Sequence, residues 1–329
     1  MSKSASIQKI LDIQPIANAD AIEVATILGW KVVIKKDSFK VGDMCVYCEI
    51  DTVCPEKPEF EFLRDKKFRI RTCRLRGQIS QGICFPMSIL PEGSYVEGQD
   101  VSELVGIIHY EKPIPLNMSG LIKGSFPSYV PKTDEIMIQS DPSLIEELRN
   151  KDCYISLKIN GTSATFSIFN GEIDVCSRNI SLKESEGNIY WKMFKENDIE
   201  GILGRCGKNI AIQGEIAGPG IQENMLQLEK HKLFVFNVYD IDKAEYLGYS
   251  EFIEFCEKNN LTTVPIICND LIFDLTLDQL LIMAKGFYPD TKNHREGIVI
   301  RPLMETYSNV LGGRLSVKVL NNDYLEKEK

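Results

Sequence analysis

No apolar run in this chain is long enough to span a membrane; each is broken within a few residues, far short of the ~20 that a bilayer-crossing helix needs. The amino-terminal stretch MSKSASIQKILDIQ has neither the apolar core nor the cleavage site of a signal peptide, so an intracellular setting, cytoplasmic or nuclear, is expected. Histidine is scarce: His109, His231 and His294 are the only three, and no two are neighbours. Cysteine is more frequent, with ten residues, but only Cys45 and Cys48 have ligand-like spacing. They lie in a strand-like run, where residues three apart face opposite ways, so free thiols in a reducing compartment are expected rather than a zinc site. Cations are in deficit, 38 Lys and Arg against 47 Asp and Glu, a net charge of −9. Bulk attraction to nucleic acid is therefore disfavoured. A composition of 43% hydrophobic and 26% charged residues excludes a mainly disordered chain. At 329 residues the chain exceeds one usual core, and two domains are expected.

Against that acidic background stands one basic stripe. Arg64 to Arg76 holds seven cations and one acid. Read as a strand, it puts Arg69 and Arg71 on one face and Arg74 and Arg76 on another, with a bulge between. Phe68, Ile70 and Leu75 would anchor the strand, leaving an ordered arginine row suited to phosphate contact. Around it, residues 1–105 read as all-β, with strands expected at 6–13, 21–28, 31–35, 44–50, 68–76 and 82–87. That spacing suggests a small barrel of the OB type, whose strand face commonly binds nucleic acid. Residues 106–135, with their prolines, glycines and serines and no sustained period, read as a linker. From residue 136 onward strands and helices mix, with helices expected at 142–150, 181–197, 249–259 and 276–285.

Leu157-Lys158-Ile159-Asn160-Gly161-Thr162 raises a sharper question. Ile155, Leu157 and Ile159 share one strand face and Tyr154, Ser156 and Lys158 the other. Asn160-Gly161 is a hairpin signal, because both residues tolerate positive φ, and 163–169 reads as the returning strand. Lys158 is then either a solvated residue on a hairpin rim or an amine aimed into a pocket. The blocks that follow at strand ends bear on that choice. They are Ser177-Arg178-Asn179, Gln213-Gly214-Glu215-Ile216-Ala217-Gly218-Pro219-Gly220, Leu233-Phe234-Val235-Phe236-Asn237-Val238, Arg295-Glu296-Gly297-Ile298-Val299-Ile300-Arg301 and Arg314-Leu315-Ser316-Val317-Lys318-Val319.

In this order the blocks resemble motifs I, Ia, III, IIIa, IV and V of the covalent nucleotidyltransferases, the ATP-dependent polynucleotide ligases and mRNA capping enzymes. The Gly214–Gly220 block is especially similar to RNA ligases. An N-terminal OB-like domain resembles the fifth RNA ligase family, whose chains likewise stop soon after motif V, as this one does at Lys329. The implied fold is α+β: an OB-like β-barrel, then over 136–329 an adenylyltransferase domain, ATP-grasp-like, of antiparallel sheets with flanking helices.

The resemblance implies an ATP-dependent RNA ligase. Lys158 would take AMP from ATP, AMP would pass to a 5′-phosphate end, and a 3′-hydroxyl RNA end would displace it. The implied partner is RNA or an RNA/DNA duplex with a nick, the setting of RNA repair, with no membrane and no sign of an obligate dimer, so a monomer is expected. A lysine amine attacks phosphorus only when unprotonated, which requires a pKa lowered by desolvation and nearby cations. Mg²⁺ or Mn²⁺ is the natural cation, with hard oxygens from Glu215, Glu296 and, through water, Asn160. Glu215 has a second implied role, on ribose hydroxyls. Lys318 would clamp the α-phosphate, Arg178 would hold phosphate or ribose, and Phe236 rather than Phe234 would stack on adenine. Gly161, Arg301 and Ser316 complete the nucleotide-binding set. The arginines Arg69, Arg71, Arg74 and Arg76 would meet phosphates of the pyrophosphate leaving group or of the duplex.

Two positions depart from the family pattern. Asn160 stands where an aspartate is common, which gives up one negative charge near the metal and predicts weaker metal affinity or slower adenylylation. Ser316 stands where motif V often has a lysine, a loss that Arg314 two residues earlier could offset. These departures also keep open a catalytically inactive nucleic-acid-binding homologue, and the shared fold keeps open a DNA ligase or a capping-type enzyme.

Overall fold

The computed structural model describes residues 3–111 and 120–327. Two compact units divide the chain. The first comprises Met1–Pro113, Ile138–Pro142 and Leu325–Lys329, and the second Ile114–Met137 and Ser143–Tyr324.

The first unit is built of short antiparallel strands. Met44–Cys48 pairs on one side with Ala5–Lys9 and on the other with Ile83–Pro86. Asp12–Pro15, Ile22–Ile27 and Trp30–Lys35 form a meander. Alternation along Trp30–Lys35 buries Trp30, Val32 and Ile34 and turns Lys31 and Lys35 outward, the period-two pattern of a one-sided sheet. Thr52–Val53 lies between Ile108–His109 and Arg69–Ile70. These small, curled sheets are the OB-type barrel the strand spacing predicts.

The basic stripe is not one strand. Lys67 and Phe68 have φ of 53° and 58°, left-handed values at which no strand can begin. After Arg69–Ile70 the chain breaks, and Cys73–Leu75 and Gln78–Ser80 form a hairpin with Leu75 opposite Gln78. Arg76 and Gly77 are its loop, both at positive φ (52° and 83°), as a two-residue hairpin turn requires.

The second unit has two large sheets and a two-stranded one, Tyr307–Ser308 with Gly313–Arg314. Seven strands run in the order Ile122–Ser125, Ile180–Leu182, Glu172–Cys176, Thr162–Phe169, Ile210–Ala217, Lys232–Asp240 and Glu245–Tyr246. Phe166, Ile212 and Val235 on this sheet form a core with Phe194 of helix Ile189–Glu196, Ile202 of helix Ile199–Cys206 and Phe252 of helix Tyr249–Lys258. The other large sheet runs Ile136–Met137, Val317–Leu320, Gly297–Pro302, Asp152–Lys158 and Ile266–Ile272, with only the first pair parallel.

Three expectations change here. Residues 122–125 of the expected linker are an edge strand. The helix expected at 181–197 starts only at Ile189, capped by Asn188, whose side chain accepts from Tyr190 N, because Ile180–Leu182 is a strand. Ile199–Cys206 is a helix the periodicity did not reveal.

The Asn160-Gly161 pair is not a hairpin turn either. Asp152–Lys158 pairs with Gly297–Pro302 and Thr162–Phe169 pairs with Ile210–Ala217, so the two residues carry the chain from one sheet to the other. Neither has a left-handed φ. Gly161 is needed for space, since a Cβ there would sit 2.4 Å from the Ile216 carbonyl oxygen and 2.8 Å from Glu215 Cγ. Gly161→Ala is expected to destabilise the protein by about 1–3 kcal/mol through overpacking, read as a lower urea midpoint. Gly124→Ala, where a Cβ meets nothing within 4 Å, should leave the midpoint nearly unchanged.

Candidate active site

The sheet crossover assembles the site. Lys158 ends its strand opposite Gly297, which brings the side chain of the preceding Glu296 to it: Lys158 Nζ lies 2.8 Å from Glu296 Oε1. Gly297 is also required for space, because a Cβ would fall 2.2 Å from the Val319 carbonyl oxygen. In the neighbouring sheet Glu215 lies opposite Ser163, two residues past Gly161. Lys318 sits in the strand beside Gly297–Pro302, opposite Val299. Four of the expected residues thus form one electrostatic cluster, since Lys158 is acted on by Glu296 and Glu215, and Lys318 by Lys158 and Glu296. Lys158 is therefore held among carboxylates rather than free on a hairpin rim, with its side chain 24% exposed.

Charge in this cluster runs against the sequence expectation of a lowered amine. Burial alone would pull the Lys158 pKa down, but the carboxylates of Glu296, Glu215 and Glu135 outweigh it, and the net direction is up. On its own residues the site keeps Lys158 as an ammonium. Glu215 is pushed up to about 8, first by burial and then by Glu296 and Glu135, against the pull of Lys158. Burial and the neighbouring Lys158 both lower Lys318.

The donor set fits a hard divalent cation. Glu215 and Glu296 supply carboxylates. Asn160 donates from Nδ2 to the Tyr324 hydroxyl at 2.8 Å, while its Oδ1 is buried without a partner. Among the described residues no group of three His, Cys, Asp or Glu side chains could hold a metal by itself. Two carboxylates and an amide oxygen suit an ion such as Mg²⁺ or Mn²⁺ that keeps waters and takes substrate oxygens.

Other expected residues separate. Phe236 is only partly buried at a bulge in its strand, whereas Phe234 is covered, so the open ring is the one expected to stack. Arg178 is exposed and paired with Asp134 at 2.6 Å. Arg301 and Ser316 are not open to a nucleotide. Arg301, 2% exposed, spends its guanidinium on Glu135 (2.5 Å), Ser316 Oγ (2.9 Å), Phe236 O (3.0 Å) and Tyr154 Oη (3.3 Å). Arg314 engages Asn237 Oδ1 at 2.6 Å, Glu305 at 3.0 Å and the Tyr246 ring, so it is committed elsewhere than to phosphate.

In the first unit the four arginines form no row. Arg69 is 6% exposed, bound to Asp51 at 2.7 Å and stacked 3.8 Å from the Tyr110 ring centroid. Arg74 is paired with Glu326 and donates to Gly77 O. Arg71 and Arg76 are exposed.

Sequence reading missed Glu135, Tyr288 and Tyr324. Pro131 to Glu135, within the expected linker, is tied to the site's strands: Pro131 O accepts from Gln213 Nε2, Thr133 bonds Ser163, Asp134 pairs with Arg178 and Glu135 with Arg301. Its charged Lys132-Thr133-Asp134-Glu135 run was the available signal.

Comparison with known proteins agrees with this geometry. An OB-fold domain family matches residues 4–87 and the RNA ligase family matches residues 151–320. A Naegleria gruberi RNA ligase structure with PPi is 37% identical, with a TM-score of 0.91, over 100% of this chain and 99% of that one. A lysine-to-alanine mutant of that ligase with ATP and Mn, and a glutamate-to-alanine mutant with AMP and Mn, each give 37% identity and 0.91 over 99% of both chains. No curated protein matches the chain. The fold is an OB domain followed by a nucleotidyltransferase-type ligase domain, the class of a polynucleotide-joining enzyme. The chain belongs to the RNA ligase family. No described helix is long and apolar enough to cross a membrane.

A pH dependence follows from Glu215. Its folded pKa is raised from 4.5 to about 8, so the folded state binds that proton more tightly than the unfolded chain does. Its contribution therefore favours folding below about pH 4.5 and is progressively lost as pH rises to about 8. Glu215→Gln removes this loss. In urea denaturation with EDTA present, the stability of the variant relative to wild type should rise between pH 5 and 8 and then level off, measured at about unit intervals.

Proposed function

We propose that this chain is an ATP-dependent RNA ligase that seals nicks through a covalent lysyl-AMP. The observation that carries the reading is the Lys158–Glu296 pair, set beside Glu215 and Lys318 in a chain akin over its whole length to an RNA ligase. The PPi, ATP, AMP and Mn in the Naegleria structures support ATP as the nucleotide donor and a divalent cofactor.

The chemistry assigns each residue a task. Lys158 Nζ, once deprotonated, attacks the α-phosphorus; a P–N bond forms and the bond to pyrophosphate breaks. Glu215, Glu296 and Asn160 Oδ1 would hold a divalent ion, which would supply positive charge to offset the carboxylates and the charge growing on the phosphates. Lys158 lies at 2.8 Å from Glu296, and losing that carboxylate's pull on its proton is what releases the amine. Lys318 balances the α-phosphate, and Phe236 stacks on adenine. Arg178 holds phosphate or ribose by exchanging its exposed Asp134 partner. A 5′-phosphate oxygen then displaces Lys158 from phosphorus, and a 3′-hydroxyl displaces AMP to form the phosphodiester. The partner is RNA or an RNA/DNA duplex with a nick, and exposed Arg71 and Arg76 are suited to phosphate contact, in the pyrophosphate or in the duplex.

Incubation with α-labelled ATP and Mg²⁺ or Mn²⁺ tests the first step. Denatured wild type should retain label and Lys158→Ala none. Absence of label on wild type with either metal, in folded protein free of bound AMP, overturns the enzyme reading. Given label, sealing of nicked duplexes with RNA or DNA at the 3′-hydroxyl tests the substrate.

A further inference from the structure

We propose that Tyr288 is a positioning residue for lysine adenylylation, its hydroxyl locking the Lys158–Asn160 crossover to the strand end that carries Glu296. The inference rests on the lysyl-AMP reading above. Tyr288 lies between helix Leu277–Ala284 and strand Gly297–Pro302 and is 1% exposed. Its hydroxyl donates to Lys158 O at 2.7 Å and accepts from Asn160 N at 2.9 Å and Glu296 N at 3.2 Å. One donor and two lone pairs are all a phenol offers, and all are used.

The place of these bonds is what makes them informative. The ladder between Asp152–Lys158 and Gly297–Pro302 ends at the Lys158–Gly297 pair, where the chain departs for the other sheet. Beyond it, Asn160 N and Glu296 N have no ladder partner, and a buried backbone group left unpaired is costly. The phenol closes the ladder by a side chain. It thereby joins the residue carrying the nucleophile, the residue carrying the unpartnered Asn160 Oδ1, and the residue carrying the carboxylate 2.8 Å from Lys158 Nζ.

The phenol is itself held. Tyr288 belongs to one buried apolar cluster with Leu157, Ile159, Ala217, Phe234 and Val264. Tyr288 N donates to Asn293 O at 3.0 Å, and Tyr288 O accepts from Thr291 N and Oγ1 at 3.2 and 3.1 Å. Arg295 closes the same segment onto the helix end by donating to Ala284 O and Lys285 O, and Asn321 Nδ2 donates to Arg295 O. A rigid anchor is what in-line attack needs, since misplacing a reacting group by ~1 Å can cost ~100-fold in rate.

Tyr288→Phe keeps the packed ring and deletes only the hydroxyl. Single-turnover labelling with α-labelled ATP and Mn²⁺ separates the possibilities, because its rate constant reports the folded molecules while its amplitude reports how many there are. At saturating ATP the rate constant should fall about 10- to 100-fold, with the half-saturating ATP concentration moved by no more than about threefold. Tyr129→Phe, which loses a hydroxyl bond to Asp174, should label at the wild-type rate. A Tyr288→Phe rate within about twofold of wild type, or a change confined to half-saturation, overturns the inference. Hydrogen exchange on wild type tests it without any variant. The Asn160 and Glu296 amides should be protected, and exchange of both at the rate of exposed amides likewise overturns it. Failure of wild type itself to label would instead overturn the ligase reading.

Discussion

Everything at the site depends on confining a lysine among carboxylates in a half-buried place. Unit charges ~4 Å apart interact by about 4 kcal/mol at an effective dielectric of ~20, enough to offset much of the cost of drying an amine. Glu296, Glu215 and Glu135 act on Lys158, so the resting amine is held protonated. The same confinement pushes Glu215 toward its neutral form. On the proposed reading, a cation held by Glu215 and Glu296 would weaken their pull on the Lys158 proton and so free its amine.

Backbone geometry serves that confinement. Lys158 and Glu215 belong to different sheets, and the chain passes between them in the few residues after Lys158. Gly161 and Gly297 are the points where side-chain-free backbone lets strands approach closely enough. Behind this front, Arg301 ties Glu135, Ser316 and the Phe236 carbonyl into one buried fork. A serine at 316, where related enzymes often carry lysine, gives Arg301 a neutral acceptor instead of a second cation. Asn160 makes a parallel substitution on the acidic side, and its amide is oriented by Tyr324 so that the oxygen stays buried without a partner.

What could be read in advance, and what could not, divides by range. The six blocks carrying Lys158, Arg178, Glu215, Phe236, Glu296 and Lys318 were picked out by their ordered resemblance to a family's motifs, and all but Phe236, midway along Lys232–Asp240, stand within two residues of a strand end. Of the two rings, Phe236 is the more open. The arginine row failed because Arg69 finds Asp51 and Tyr110 and because Lys67, Phe68 and Arg76 adopt left-handed φ, neither visible in alternation alone. Within the expected linker, Ile122–Ser125 is too short and irregular to show as a strand, yet pairs with Ile180–Leu182. Tyr288 lies 130 residues from the carbonyl it bonds, and a lone tyrosine beside a Pro-Asp pair carries no motif.

By itself the sequence determined the chemical groups and their order along the chain: an amine, two hard carboxylates, a second lysine and an aromatic ring, each beside apolar runs able to hold them on strands. Only the tertiary structure decided which of these charges meet, which arginines are spent on buried partners and which backbone groups need a phenol to complete them. The physical reason is that strand pattern is set by neighbours along the chain, whereas pKa, exposure and hydrogen-bond saturation are set by groups brought together from more than a hundred residues away.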